Sequence, residues 1–223
     1  MSLKIGDSVK VKIGVLEPDT EAFEIGGWQG RIVEIDAVSS AEGALVGIEW
    51  DAMTLQQIPP DYIIQSEMEG MGWDMMVLYE SDVEKTVSRD QQADVKRMQD
   101  ELSEKYYWYS LGEDGVRIAA VLEGVGRNDE MKCFDAWYKY LESKLSFPVQ
   151  AIVSESEDMG LIKEGDKVVI QSLSTIADRY GIMAKVKLKD ANYEFPLCDL
   201  DAANKDSAGF QLINDYGIWF GNR

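Results

Sequence analysis

The sequence predicts an α+β protein in which a helical connector joins two small antiparallel β-barrel modules. Alternating polar and apolar residues follow a Gly-Asp turn near the start of the chain and again in its last third, as is typical of half-buried strands. Between these regions apolar residues recur at spacings of three and four, which indicates helices. A chain of 223 residues, 45% of them hydrophobic, is long enough for two small domains with packed cores.

The first module is predicted over residues 1–70. A strand begins near Ser8, directly after Gly6-Asp7, and alternating patterns predict further strands at residues 31–36 and 44–50. The consecutive prolines Pro59-Pro60 then fix a turn that closes the unit. Several short strands within about 60 residues indicate a small barrel.

Residues 71–126 are predicted to be the connector. It contains a long helix from about Ser81 to Tyr109 and one strand over the apolar residues 116–122. The apolar face of the helix consists of Val95, Met98, Leu102, Tyr106 and Tyr109.

Residues 127–223 are predicted to be a third segment, a helix followed by a second barrel. Asn128 is the predicted cap of this helix, and its apolar stripe of Phe134, Trp137, Tyr138, Leu141 and Leu145 indicates packing against a core. Gly165-Asp166 repeats the turn-and-strand pattern of the first module, which suggests a diverged structural duplication.

The charge and the absent residue types exclude several function classes. The chain has 22 basic and 41 acidic residues, a formal net charge of -19, which disfavours binding to nucleic-acid phosphates. It contains no histidine, so catalytic triads and zinc hydrolase sites are not expected. We therefore expect neither a catalytic residue nor a nucleic-acid partner.

The two cysteines and the hydropathy pattern predict the compartment. Cys133 and Cys198 lie far apart without a CxxC spacing, and we interpret both as buried thiols in a reducing environment. No apolar stretch approaches the ~18 residues of a membrane span, and the N-terminal segment is polar. A cytoplasmic protein without membrane contact is the expectation.

Two clusters of acidic residues in predicted loops are candidate calcium ligands. Calcium takes six to eight oxygen atoms, which carboxylates, carbonyls and water provide. Neither cluster fits the EF-hand loop, because aligning Gly160 to its invariant glycine places Met159 at a ligand position. The predicted metal ligands are Glu155, Glu157, Asp158 and Asp166 in the first cluster and Asp199, Asp201 and Asp206 in the second.

A charge run in a loop is more often simply solvated. Lys163, Lys167 and Lys205 lie near these acids in sequence and offset part of their charge. Both interpretations of the acidic clusters stay open at this point.

Six ordered blocks of the C-terminal segment stand out: residues 134–141, 145–151, 165–166, 180–182, 195–200 and 215–220. Through these blocks the segment from about residue 127 to the end resembles the small acidic calcium-binding proteins of cyanobacteria known as the CcbP type. The resemblance implies an α+β fold and a cytoplasmic calcium-binding protein without catalytic activity or an EF-hand. By position it implies Asp199, Asp201 and Glu157 as ligands.

The first 70 residues resemble a Src-homology-3-like barrel. Trp28, Trp50 and Tyr62 then have two interpretations: they line a groove for proline-rich peptides, or they fill the core and rim of a small barrel. The second interpretation is the more common one for such aromatic residues.

The predicted function is therefore that of a non-enzymatic calcium buffer or sensor with calcium ions as its partner. The alternative is a calcium-independent adaptor that binds a protein partner through a small barrel. An enzyme that uses Asp51 and Asp61 as a carboxylate pair is a third option, but two small barrels offer little room for a cleft.

Overall fold

The computed structural model describes residues 3–40, 43–156 and 160–223, with the backbone alone at positions 37–40. The chain forms two compact units, Met1–Gly112 and Glu113–Arg223. Each unit contains a five-stranded antiparallel sheet together with helices, which confirms the α+β fold class. The boundary between the units falls inside the predicted connector 71–126.

The described residues of the N-terminal unit form a sheet in the order β4-β3-β2-β1-β5 and three α-helices. The Gly-Asp turn and the alternation of buried and half-buried side chains specify β1, whose Val9 and Val11 enter the core. Pro60 at the first position and the left-handed Gly70 at the end delimit α2. The elements are β1 Ser8–Val11, β2 Gln29–Ser40, β3 Gly43–Trp50, α1 Ala52–Leu55, α2 Pro60–Glu69, β4 Met75–Tyr79, β5 Val83–Lys85 and α3 Gln92–Tyr106, with short 3-10 helices at Glu80–Asp82 and Tyr107–Leu111.

The aromatic residues of this unit form its core. Trp50 is fully buried and Tyr62 is 6% exposed, while the half-buried Trp28 contacts both rings edge-on at centroid distances of 5.3 and 5.9 Å. The hypothesis of a peptide groove lined by these three side chains is therefore wrong, because their ring faces are used in packing.

Asp51 has a structural role in the same unit. Its carboxylate caps α1 by accepting a hydrogen bond from Thr54 N–H at 2.7 Å. It also binds the Arg89 guanidinium through two nitrogens, at 2.7 and 2.8 Å, and thereby holds the segment after β5 against α1.

The C-terminal unit has a sheet in the order β10-β6-β7-β8-β9. Asp129 caps α5 through Lys132 N–H, one residue after the predicted cap, and Ser207 caps α6 through Phe210 N–H. The elements are α4 Gly112–Val121, α5 Glu130–Lys144, β6 Val149–Val153, β7 Lys167–Ala177, β8 Gly181–Leu188, β9 Ala191–Pro196, a 3-10 helix Leu197–Asp199, β10 Leu200–Ala202 and α6 Ala208–Asn222.

Aromatic side chains of α5 and α6 build the core of this unit. Phe134 contacts Trp219 edge-on at 5.1 Å, and Trp137 lies 5.7 Å from Tyr216. The Tyr216 hydroxyl accepts a hydrogen bond from Ile182 N–H at 2.8 Å, which ties α6 to β8. The predicted apolar stripe of α5 is thus part of the core.

Three details of the predicted fold differ from the structure. The sheets are open and not closed barrels, since the described residues show no pairing between β4 and β5 or between β9 and β10. Alternation identifies a half-buried strand but does not specify whether a sheet closes. Residues 116–122 were predicted as a strand, but 116–121 lie in α4. Ile118 is buried in this helix, and the buried Leu122 follows its end at a helical spacing of four. The connector helix begins at Gln92 because the preceding residues Val83–Lys85 pair with β1 as β5.

A search of the described residues for a helix both long and apolar enough to cross a bilayer finds none.

Candidate metal centre

The end of β6 brings three acidic segments of the C-terminal unit together. On one side, Val153 N–H donates to the Asp166 carbonyl at 3.0 Å, and Gly165 N–H donates back to the Val153 carbonyl at 2.9 Å. On the other side, Val153 pairs with Leu200 of β10, and Ser154 N–H donates to the Asp199 carbonyl at 2.9 Å. Backbone hydrogen bonds therefore hold residues 154–156, 163–166 and 199–201 side by side.

Asp199 is the half-buried carboxylate of this group. Burial raises the pKa of Asp199 above its usual value of 3.8, the charge of Glu155 raises it further, and a hydrogen bond from Cys198 opposes the increase. The Cys198 sulfur lies 3.3 Å from Asp199 Oδ1. Two carboxylates from the two predicted clusters are thus near enough to repel each other, which is the electrostatic condition that a bound cation relieves.

Cys198 itself remains a thiol. It is half-buried rather than fully buried as predicted, whereas Cys133 is buried, and both are free cysteines. Burial and the neighbouring Asp199 raise the pKa of Cys198 to about 12. Because a thiolate is the form that binds soft metals, the site favours oxygen ligands.

Asp166 uses one of its carboxylate oxygens in the turn before β7. Its Oδ2 accepts a hydrogen bond from Lys163 N–H at 2.9 Å, and Glu164 N–H donates to the Ser156 hydroxyl at 3.0 Å. These bonds fix the turn beside residues 154–156. The Asp166 carboxylate borders the group at the end of β6.

The remaining members of the second cluster lie farther along β10. Asp201 is exposed and pairs with Ile152, two residues beyond Asp199, which ends the preceding 3-10 helix. Asp206 lies three residues after Ala203, whose N–H donates to the Gln150 carbonyl near the start of β6. It is therefore toward the end of β6 opposite to Val153. Its own N–H donates to the Asn204 side chain at 3.1 Å in the turn that precedes α6.

Glu157 and Asp158 lie outside the described residues. Within the ranges that the structure covers, no three histidine, cysteine, aspartate or glutamate side chains are grouped closely enough to hold a metal ion. Glu155 and Asp199 are brought near each other, whereas the full set of seven ligands stays a prediction.

A cavity of about 340 Å³ opens beside Asp199. Its wall includes the side chains of Tyr193 and Phe195 and two further oxygen-bearing residues, Ser156 and Glu194. Glu194 on β9 accepts a hydrogen bond from the Ser174 hydroxyl and was not among the predicted ligands. In sequence it is a polar position in an alternating strand, and it lies near Asp199 because β9 leads directly into the 3-10 helix Leu197–Asp199.

Comparisons with known proteins bear on this unit. A family model described as calcium binding, Calci_bind_CcbP, matches residues 124–220, and this match confirms the resemblance to the CcbP type for the C-terminal segment. A search of curated proteins found no match. Among solved structures, the crystal structure of Anabaena CcbP is 20% identical, with a TM-score of 0.36, over 45% of this chain and 80% of that chain. The Src-homology-3-like character of residues 1–70 stays a prediction.

Proposed function

We propose that the C-terminal unit, which contains the CcbP-type segment 124–220, binds calcium through carboxylates at the end of β6. The observation that carries the proposal is the hydrogen bonding on both sides of Val153, which holds acidic residues from three segments together. Glu155 and Asp199 form the centre of the proposed site, and Asp166 and Asp201 border it.

Glu157 and Asp158 remain in the proposed ligand set on the sequence alone. Asp206 is left out of it, because its backbone lies toward the opposite end of β6. Calcium is the ion that best suits the available chemistry, since the chain has no histidine and Cys198 stays protonated.

Calorimetric titration of the chelator-stripped, full-length protein tests the proposal. We expect a saturable calcium heat and weaker binding of magnesium, because the smaller ion demands near-ideal octahedral geometry. Absence of a calcium heat at millimolar concentration would remove the proposal.

Within this function we propose a calcium buffer rather than a sensor. The proposed ligands lie in turns, in a 3-10 helix and at strand ends, outside the α-helices, although α6 packs against the 3-10 helix Leu197–Asp199 and against β10. Because backbone hydrogen bonds already hold the acidic segments side by side, we expect calcium to bind without a shift of α6. Hydrogen exchange with and without calcium separates the two roles: a buffer gains protection only near residues 153–166 and 198–201, and a sensor also changes in α6.

A calcium-independent adaptor is the second candidate, and one observation favours it. The N-terminal unit exposes apolar side chains on β4, a strand at the edge of its sheet, where a partner protein could dock.

A further inference from the structure

Strand β4 forms one edge of the N-terminal sheet. Trp50 N–H donates to the Asp74 carbonyl at 3.0 Å, and the register pairs Ile48 with Met76. Because hydrogen-bonded and non-hydrogen-bonded pairs alternate in an antiparallel ladder, Met75 and Val77 direct their backbone N–H and C=O groups away from β3. These groups point to the open edge, where another strand can pair with them.

The same residues expose apolar side chains on the outer face. Met75 is 39% exposed and Val77 is 48% exposed, and Tyr79 also lies on this face. Gly47 is the residue opposite Val77, and Leu45 lies opposite Tyr79. Gly47 has no side chain, and the side chains of Glu34 and Val33 from β2 lie beside it. We call Leu45, Met75, Val77 and Tyr79 the edge patch.

Acidic residues surround the edge patch. Asp74 and Glu80 bracket β4, and Glu49 lies opposite Met75. Asp74 and Glu49 accept hydrogen bonds from the neutral Gln99 amide, and no ion pair among the described residues neutralises Asp74, Glu80 or Glu49. Residues 1–112 contain 22 acidic and 9 basic residues, so the field around the patch is strongly negative.

This charge pattern argues against a second copy of the chain as the partner. If two β4 strands paired antiparallel about Val77, Asp74 of one copy would lie opposite Glu80 of the other. Like charges at facing positions destabilise a strand pair. A segment with apolar residues and basic ends fits both the patch and its rim.

We propose that β4 is a docking edge for an extended basic segment of a partner protein, which adds as a sixth strand. Its backbone pairs with Met75 and Val77, its apolar side chains extend the edge patch, and its lysine or arginine residues approach Asp74 and Glu80. The proposal does not depend on calcium binding, since every residue that carries it lies in the N-terminal unit.

A labelled model peptide tests the docking edge by fluorescence polarisation with the full-length protein. The probe is acetylated and amidated Lys-Lys-Val-Thr-Val-Thr-Val-Lys-Lys, whose central five residues match the length of β4. One control peptide replaces valine by serine, and another replaces lysine by glutamate. We expect binding of the probe and much weaker binding of both controls, because the apolar side chains and the positive ends each contribute.

Matched variants locate the binding site. Val77→Lys places a positive charge on the patch, and Val87→Lys adds the same charge after β5, at the opposite edge of the sheet, where Val87 is 82% exposed. We expect Val77→Lys to weaken binding about tenfold or more and Val87→Lys to change it less than about twofold. Circular dichroism melting of both variants checks that they are folded.

Four results would overturn the proposal. The first two are no binding of the probe and equal binding of the probe by the Val77→Lys and Val87→Lys variants. The third is binding of the serine peptide as strong as that of the probe, which indicates charge attraction alone. The fourth is a concentration-dependent dimer in ultracentrifugation that Val77→Lys abolishes, which indicates a second copy on the edge.

Discussion

Replacing Asp199 by asparagine should change the stability of the calcium-free protein and its calcium affinity in opposite directions. The substitution removes a half-buried charge that Glu155 repels, while it keeps the size of the side chain. We expect the calcium-free variant to be more stable by about 0.5 kcal/mol, the usual scale for like charges on neighbouring strands.

Calcium affinity should fall in the same variant. A divalent ion and a carboxylate about 4 Å apart attract each other by about 2 kcal/mol even at the dielectric constant of water, which corresponds to about thirtyfold in the dissociation constant. Because Asp199 is half-buried, this value is a lower limit for its contribution. Higher stability of the calcium-free variant together with lower calcium affinity distinguishes a calcium ligand from a residue that only stabilises the fold.

Urea unfolding in chelator and calorimetric calcium titration measure the two effects. Asp206→Asn is the matched control, because it removes the same charge from the turn before α6, toward the other end of β6. We expect less than about twofold change in its calcium affinity. Lower stability of calcium-free Asp199→Asn together with unchanged calcium affinity would refute the reasoning.

Three further predictions concern pH and stability. The pKa of Asp199 is raised in the folded protein, so without calcium the free energy of unfolding decreases as pH rises from 3.8 through the raised pKa. The stability advantage of Asp199→Asn should therefore grow across this pH window. A difference between variant and wild type that stays constant with pH in urea titrations would contradict this prediction. Gly181→Ala should destabilise the C-terminal unit by about 3 kcal/mol in urea unfolding, since Gly181 has φ +67° and an added Cβ would overlap side chains of α6. The control Gly124→Ala, at φ +75° in open space, should cost only about 1 kcal/mol. Equal losses would exclude the steric contribution at Gly181. Asp51→Ala should cost about 3 kcal/mol because it leaves the Arg89 guanidinium without its carboxylate partner. Adding Arg89→Ala should restore part of the loss, and no recovery in the same assay would show that only the helix cap matters.

Much of the fold was predictable from local patterns. Val9 and Val11 alternate with polar residues and form a strand, and Phe134, Trp137 and Leu141 occupy one face of a helix whose buried side is the core. These predictions succeed because the period of buried residues depends on local backbone geometry. The same approach failed at residues 116–122, since a short apolar run does not distinguish a strand from a buried helix.

The candidate site was predictable only as a set of acids. The sequence indicates that Glu155 and Asp199 belong to acidic loops, but 44 positions separate them. Whether they meet depends on the pairing of β6 with β10, a contact between distant segments. Glu194 lies only five residues before Asp199, but a polar residue in an alternating strand gave no signal that it borders the same cavity.

Composition and periodicity by themselves determined the α+β class, the strongly acidic surface, the absence of histidine chemistry and the choice of oxygen ligands. Tertiary structure alone decided that Asp199 lies near Glu155 while Asp206 lies toward the opposite end of β6, and that β4 is an edge with exposed apolar side chains. The reason is physical: residue type and spacing set local geometry and chemistry, whereas the order and register of the strands set which distant residues become neighbours.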